Sequence, residues 1–106
     1  MSDADPIAIW NDPERVEMFA SRDPDHRLVE IVEALPYPAA VRALDLGCAG
    51  GRNAEYLARH GLDLHALDAA EAMVARTRER VAAVLGEEEA EARVVQGTMD
   101  DLARWD

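Results

Sequence analysis

The sequence predicts an α/β fold in which a small parallel sheet, with strand order 3-2-1, packs against helices. Three short apolar segments carry the strand pattern, at residues 41–46, 62–67 and 93–96. Stretches with helical periodicity separate them, and this alternation requires crossover connections that return every strand in the same direction. Because such crossovers are right-handed, the strands are expected in the order 3-2-1. Two more helices are predicted ahead of the first strand.

The composition indicates one acidic globular domain. The chain has 106 residues, of which 49% are hydrophobic, and its formal net charge is −11. We expect a single domain over residues 1–106, with a helical cap at 1–38 and an α/β core at 39–106. A surface this acidic repels phosphate groups, so nucleic acids are not expected as partners, and a small molecule is favoured.

The cysteine content and the N-terminal segment favour a cytoplasmic location. Cys48 is the only cysteine, which excludes an internal disulfide and a cysteine-rich metal site. Residues 1–6 are acidic and no apolar run follows them, unlike a signal peptide. No apolar stretch approaches the roughly 20 residues that span a membrane. We therefore expect no membrane association.

The helical cap is predicted from two aspartate-proline pairs. Asp12 and Asp23 each precede a proline, which suits the N-cap and first helical positions. These pairs predict helices over residues 13–21 and 24–35. The second helix has an apolar stripe at helical spacing, formed by Leu28, Ile31, Val32 and Leu35.

Two helices are predicted between the strands. Residues 52–60 form one, ended by Gly61, and residues 70–85 form the other, ended by Gly86. The inward face of the longer helix is expected to carry Met73 or Val74, Thr77, Val81 and Val84. The glutamate-rich run at 87–91 is predicted to be a solvated loop, since its charge suits no core.

A glycine-rich loop joins the first strand to the following helix, at the sheet edge where parallel sheets bind ligands. It carries Asp45, Gly47, Ala49 and Gly51 at alternate positions. A dinucleotide fingerprint starting at Gly47 would need glycine at the positions of Ala49 and Arg52, so that interpretation fits poorly. A phosphate-binding P-loop would need a lysine, which the loop lacks.

This loop resembles the first motif of class I, Rossmann-like methyltransferases that use S-adenosylmethionine, with Ala49 in place of the middle glycine. The resemblance implies that Asp45 lies near the amino end of the cofactor's methionine, directly or through water. It implies backbone contacts to that tail from Gly47 and its neighbours Cys48 and Gly51. Arg52 either pairs with the cofactor carboxylate or is a solvent-exposed helix charge. The Ala49 methyl is expected to narrow the floor under the cofactor without removing the turn.

The second strand ends on an acidic residue, as in that family. Asp68 lies 21 positions after Gly47, and the resemblance implies that its carboxylate accepts both ribose hydroxyls, with Ala69 beside it. The alternative is that Asp68 caps the next helix. Ala70 replaces the family's usual serine, which removes a capping hydroxyl. Met73 is either near the adenine or a core residue.

The third strand is followed by Thr98 and Met99, where family members carry an acid for the adenine amino group. By resemblance, Thr98 is an uncharged adenine contact and the Met99 backbone bonds a ring nitrogen, with Asp100 as a less favoured substitute. Trp10 and Phe19, in the predicted helical cap, lie where such enzymes often place a lid over the cofactor; Trp10 could equally be a core anchor.

The resemblance implies methyl transfer from S-adenosylmethionine, and the acidity of the chain favours a small-molecule acceptor. No residue is identified as catalytic and no metal-ligand cluster is visible. Cys48 is interpreted as a packing residue. Such methyltransferases have seven strands, and the chain is expected to stop before the fourth. The exposed edge of the first strand would then invite a homodimer. The alternative function is a non-catalytic fragment that binds cofactor or a partner chain.

Overall fold

The computed structural model describes residues 7–105, with side chains described up to residue 102, so the acidic segment 1–6 lies outside the described residues. Its sheet has three parallel strands, β1 (Arg42–Leu46), β2 (Asp63–Asp68) and β3 (Val94–Gln96), in the order β1-β2-β3. This is the predicted order 3-2-1 read from the opposite edge. The α/β fold class and the partial Rossmann-like sheet are confirmed.

The strand register brings the ends of all three strands to one edge of the sheet. Leu46 of β1 pairs with Leu67 of β2, which pairs with Val95 of β3. One position later Asp68 pairs with Gln96. The glycine loop, Asp68 and the segment after β3 therefore meet at this carboxyl edge, as expected for parallel strands.

Two helices connect the strands and cover one face of the sheet. They are α3 (Arg52–Arg59) and α4 (Glu71–Leu85). Gly61, with φ +81°, follows α3 at the expected position, and Gly86, with φ +92°, ends α4. The core lies between these helices and the sheet, and its most buried members include Ala54, Leu57, Leu64, Ala66, Val74, Val81 and Val94.

The first helix of the cap forms as the sequence predicts. Helix α1 (Pro13–Ala20) follows a short 3-10 helix (Ala8–Asn11), and the Asp12 carboxylate accepts a 3.1 Å hydrogen bond from the N–H of Arg15. Helix α1 packs against α4, where the guanidinium of Arg76 forms a 2.8 Å ion pair with Glu17. The cap is thus joined to the core along α4.

The second helix of the cap begins later than predicted. Helix α2 (His26–Glu33) is capped by Asp25, whose carboxylate accepts a 2.9 Å hydrogen bond from the N–H of Arg27. Asp23 does not cap this helix, and its carbonyl accepts a 2.8 Å hydrogen bond from the guanidinium of Arg52 on α3. The predicted apolar stripe is also incomplete, since Ile31 is 62% exposed while Val32 is buried.

The glutamate-rich run forms a helix, and the prediction of a loop is wrong. Helix α5 (Glu87–Arg93) places its first three glutamates in the first turn, where negative charge is favoured by the helix dipole. A 2.9 Å ion pair joins Glu89 to Arg93 four residues later. Ala90 is buried in the core and anchors the helix there. The glutamates on the other positions stay in solvent, so their charge does not prevent the helix from packing on the core.

The second face of the sheet is open at β1. Strand β1 pairs only with β2 among the described strands, and Leu44 and Leu46 are 38% and 43% exposed on the face away from Asp45. Within residues 7–105, no helix is long and apolar enough to cross a membrane.

Candidate functional site

The glycine loop adopts the left-handed turn that its sequence predicts. Gly47, Gly50 and Gly51 have φ values of +70°, +86° and +96°. Ala49, the residue that replaces the family's middle glycine, has φ +47°, and no other non-glycine residue within the described range has positive φ. A left-handed alanine costs about 1–2 kcal/mol relative to its preferred backbone. The turn is therefore kept, as predicted, but with strain stored at Ala49.

Hydrogen bonds to β2 and α4 hold the glycine loop against the core. The N–H of Gly47 donates a 2.7 Å hydrogen bond to the carbonyl of Leu67. The buried thiol of Cys48 accepts a 3.2 Å hydrogen bond from the hydroxyl of Thr77 on α4. Burial raises the pKa of the Cys48 thiol to about 12, so it stays protonated. This supports the interpretation of Cys48 as a packing residue rather than a nucleophile.

Asp68 ties the glycine loop to the start of α4. One carboxylate oxygen accepts a 3.2 Å hydrogen bond from the N–H of Ala49, and the other accepts a 2.9 Å hydrogen bond from the N–H of Ala70. Each oxygen has a second lone pair, so the carboxylate keeps acceptor capacity for a ligand. Its position is fixed from both sides, which suits a binding group.

The capping of α4 falls to a residue that the sequence does not point to. The side-chain oxygen of Asn11 accepts a 2.8 Å hydrogen bond from the N–H of Ala72, at the second position of α4. It supplies the bond that the serine replaced by Ala70 would have made. The absence of a serine hydroxyl at Ala70 indicates that another group must accept this hydrogen bond. The sequence does not indicate which distant side chain that is.

Two adjoining pockets open at the carboxyl edge of the sheet, and Gly47, Asp68 and Ala69 line both of them. The first, which we call the aromatic pocket, has a volume of about 470 Å³. Its remaining lining residues are Ile7, Trp10, Phe19, Ala49 and Met73. The second, which we call the strand-end pocket, has a volume of about 370 Å³. Its remaining lining residues are Leu46, Leu67, Gly97, Thr98 and Met99.

The cap contributes aromatic side chains to the aromatic pocket. The ring centroids of Trp10 and Phe19 are 5.5 Å apart at an interplanar angle of 59°, a tilted arrangement that aromatic pairs favour. The guanidinium of Arg15 lies 5.6 Å from the centre of the Trp10 ring. Trp10 is 38% exposed, so it is not a core anchor, and its position agrees with the predicted lid.

The strand-end pocket carries the residues after β3. The N–H of Thr98 donates a 2.8 Å hydrogen bond to the carboxylate of Asp101, and the hydroxyl of Thr98 accepts a 3.3 Å bond from the N–H of Asp100. Met99 is 67% exposed. Asp100 lines neither pocket. Of the three residues predicted to contact the adenine, only Thr98 and Met99 therefore line the strand-end pocket.

Asp45 lies on the other side of the loop, in a third cavity. This cavity, the α2 groove, has a volume of about 360 Å³. Asp25, Asn53 and Asp45 are its polar lining residues, and its apolar walls come from α2, β1 and α3. One carboxyl oxygen of Asp45 is buried without a hydrogen-bond partner among the described residues. Burial, and then the negative charge of Asp68, raise the pKa of Asp45 to about 6.

Two residues at the start of α3 bind the segment that leads into α2. Arg52 is partly buried and donates a 2.8 Å hydrogen bond to the carbonyl of Asp23. The side-chain oxygen of Asn53 accepts a 2.9 Å hydrogen bond from the N–H of Asp25. The start of α3 thus holds the cap as well as the loop.

Residues 43–106 match the family model described as a methyltransferase domain. The match covers more than half of the chain and includes most of β1, the glycine loop, β2 and β3. The chain belongs to this family. It is a methyltransferase domain with a class I, Rossmann-like sheet. No curated protein and no solved structure matches the chain significantly.

Seven of the eleven predicted site residues of this methyltransferase domain line the two pockets. They are Gly47, Ala49, Asp68, Ala69, Met73, Thr98 and Met99. Met73 is also buried in a small cluster with Val16 and Ala70, and it lies on the aromatic pocket rather than beside Thr98. The other four, Asp45, Cys48, Gly51 and Arg52, line neither pocket. The part of all eleven residues in binding stays a prediction.

Proposed function

We propose that this methyltransferase domain binds S-adenosylmethionine and supports methyl transfer to a small-molecule acceptor. The observation that carries the proposal is the position of Asp68, which lines both the aromatic pocket and the strand-end pocket. The ribose lies in the middle of this cofactor, between the base and the methionyl tail. A ribose diol bound by Asp68 therefore directs the base into one pocket and the tail along the glycine loop.

The residues present fit this cofactor. S-adenosylmethionine has no phosphate, so it needs a carboxylate for the ribose, backbone groups for the tail and an acceptor for the ammonium group. Asp68 and Asp45 provide the carboxyl groups, and the orphaned oxygen of Asp45 is a buried acceptor without a donor among the described residues. A Cβ added to Gly47 would meet no atom within 4 Å, so a ligand has room to approach the loop.

When bound, the cofactor supplies a methyl group activated by its sulfonium, so the protein mainly positions two reactants and excludes water. Trp10 and Phe19 cover the aromatic pocket from one side and are placed to exclude water from it. The acceptor is proposed to be a small molecule because the net charge of −11 opposes polyanions. A cytoplasmic location is part of the same proposal.

The test is calorimetric titration with S-adenosylhomocysteine, comparing the chain with Asp68→Asn. The substitution removes the negative charge and one acceptor oxygen while it keeps the side-chain volume. Because hydrogen bonds to charged groups contribute about 1.5–3 kcal/mol, the affinity is expected to fall by about 10-fold to 100-fold.

Asp63→Asn is the matched control, since Asp63 lies at the opposite end of β2 in an ion pair with Arg93. It is expected to leave the affinity unchanged. Thermal unfolding of both variants separates a loss of binding from a loss of folding. Equal affinities for Asp68→Asn and the unchanged chain would contradict the proposal.

A second candidate function is a binding module that pairs with another chain, and we propose a homodimer through the edge of β1. It is favoured by the exposure of Leu44 and Leu46 on β1, an edge strand among the described strands. Leu44→Lys is expected to keep the chain monomeric, and added salt is expected to strengthen association by screening the negative charge. Light scattering measures the mass, and a monomer at every concentration and salt would exclude this candidate.

A further inference from the structure

The 3-10 helix Ala8–Asn11 is attached to α4 by its last residue. The side-chain oxygen of Asn11 accepts a 2.8 Å hydrogen bond from the N–H of Ala72, which lies in the first turn of α4. The N-cap residue of α4, Ala70, has no side-chain oxygen that could accept such a bond. None of the four residues of the 3-10 helix is buried, so burial does little to fix its position. Asn11 therefore attaches a segment that its own burial does not hold.

The two ends of this hydrogen bond belong to different walls of the aromatic pocket. Trp10 precedes Asn11 and lines the pocket from the cap, while Met73 follows Ala72 and lines it from α4. The bond thus links the two walls and limits how far Trp10 can move from Met73. Asn11 itself lines neither pocket, so its effect on a ligand is indirect.

The same hydrogen bond supports the position of Asp68. The first N–H groups of a helix have no intrahelical partner. In α4 the N–H of Ala72 is bonded to Asn11, and the N–H of Ala70 is bonded to the carboxylate of Asp68. Loss of the Asn11 oxygen would favour fraying of this turn and would move Ala70 relative to Asp68. The other oxygen of Asp68 is bonded to Ala49 in the glycine loop, so the loop would be loosened as well.

We propose that Asn11 is a positioning residue of the ligand site, which holds Trp10 over the aromatic pocket and, through the first turn of α4, holds Asp68 in place for the ligand. This inference rests on the proposed function, in which Asp68 binds the ribose of S-adenosylmethionine. Without the bond, a smaller fraction of molecules has the pocket assembled, and the apparent affinity falls with that fraction. A capping side chain shifts such an equilibrium by about 3-fold to 10-fold.

The experiment compares variants of Asn11 in calorimetric titrations with S-adenosylhomocysteine. Asn11→Ala removes the acceptor oxygen and is expected to weaken binding by about 3-fold to 10-fold. Asn11→Asp keeps an acceptor oxygen in a side chain of the same shape. It is expected to stay within about 2-fold of the unchanged chain, because asparagine and aspartate cap helices about equally well. Recovery of binding by aspartate would assign the effect to the acceptor oxygen.

Tryptophan fluorescence provides a second measurement that a role in overall stability would not change. Trp105 is the only other tryptophan in the sequence, so a Trp105→Phe background leaves Trp10 as the single emitter. Acrylamide quenching in the folded, ligand-free chain then measures how accessible Trp10 is. Asn11→Ala is expected to increase the quenching, and Asn11→Asp is expected to leave it unchanged.

Glu17→Gln is the matched control, because Glu17 also joins the cap to α4. Its ion pair with Arg76 connects α4 to α1 rather than to the 3-10 helix. Glu17→Gln is expected to change neither the affinity for S-adenosylhomocysteine nor the quenching of Trp10. A loss in Asn11→Ala alone would show that the attachment of the 3-10 helix matters for the ligand.

Each outcome has a separate meaning. If Asn11→Ala binds as tightly as the unchanged chain, the inference about Asn11 is wrong and the proposed function stands. The inference is also wrong if Asn11→Asp or Glu17→Gln loses as much affinity as Asn11→Ala. Thermal unfolding shows whether each variant folds. If Asn11→Ala does not fold, Asn11→Ser, which moves the oxygen one bond closer to the backbone, replaces it with the same expectations. If S-adenosylhomocysteine does not bind to the folded, unchanged chain, the proposed function and this inference are both overturned.

Discussion

Asp45→Asn is expected to stabilise the folded chain above pH 6, even though it removes a group assigned to ligand binding. The pKa of Asp45 is raised from 3.8 to about 6 by burial and by Asp68. The folded state therefore holds this proton more tightly than the unfolded state does. As the pH rises from about 4 through 6, the unfolded chain loses its proton first, and the folded chain is progressively destabilised.

The expected gain is about 2–3 kcal/mol at pH 8 relative to pH 4, since each unit of pKa shift corresponds to about 1.4 kcal/mol. Comparing the two pH values cancels the packing cost of the asparagine, because Asp45 is itself neutral in the folded chain at pH 4. Denaturant unfolding of both chains between pH 4 and pH 8 measures this difference. A constant difference across that range would show that Asp45 is not a destabilised carboxylate.

Asp63→Asn is the control with the opposite sign. The pKa of Asp63 lies below its usual range, because Arg93 donates a 2.6 Å hydrogen bond to its carboxylate. Its stabilising effect is present above the ordinary pKa of an aspartate and is lost as the pH falls through the lowered value. Asp63→Asn should therefore lower stability at pH 8, whereas Asp45→Asn raises it. Opposite signs on two aspartates would link the gain to the environment of Asp45.

The fold was predictable because its signals are local. Alternation of apolar segments with helical periodicity, together with the handedness of crossovers, was enough for the sheet order. The spacing of Gly47, Ala49 and Gly51 predicted the turn, and Gly61 predicted the end of α3. The turn and the helix end depend on residues within one turn of the chain, so the neighbouring sequence contains the information. The sheet order needs only the succession of elements and the handedness rule.

The errors concern contacts between segments that are distant in sequence. Helix α2 begins at His26 because Asp23 and Asp25 are bonded to α3. The glutamate-rich run forms helix α5, because Ala90 packs in the core. The cap on α4 comes from Asn11, 61 residues before its partner Ala72. None of these partners is visible from spacing alone, since each depends on how the finished helices pack.

The site shows the same division. Asp68 was predicted from its place at the end of β2, and the structure adds that both its oxygens are bonded to backbone. Asp45 was predicted from the loop motif, whereas its orphaned oxygen is visible only in the folded chain. Two residues of the loop are locally unfavourable to folding. Ala49 has a strained left-handed backbone, and Asp45 has a buried carboxyl group. Such violations are expected to concentrate at functional sites.

Gly50→Ala is expected to be the most damaging single-methyl change in the loop. A Cβ at Gly50 would lie 2.8 Å from the Cβ of Ala20 and 3.0 Å from its Cα. The backbone of α1 would have to move, and the cap would separate from the loop. Gly50 also has φ +86°, so the alanine would be strained in addition.

Strain contributes about 1–2 kcal/mol and overpacking about 1–3 kcal/mol, so Gly50→Ala is expected to lower the free energy of unfolding by about 2–5 kcal/mol. Gly61→Ala is the matched control, because Gly61 has φ +81° and an added Cβ there meets nothing within 4 Å. It should show the strain alone. Denaturant unfolding measures both variants, and equal losses would mean that α1 does not press on the glycine loop. A larger loss at Gly50, accompanied by increased exposure of Trp10, would show that the cap and the cofactor loop are packed as one unit.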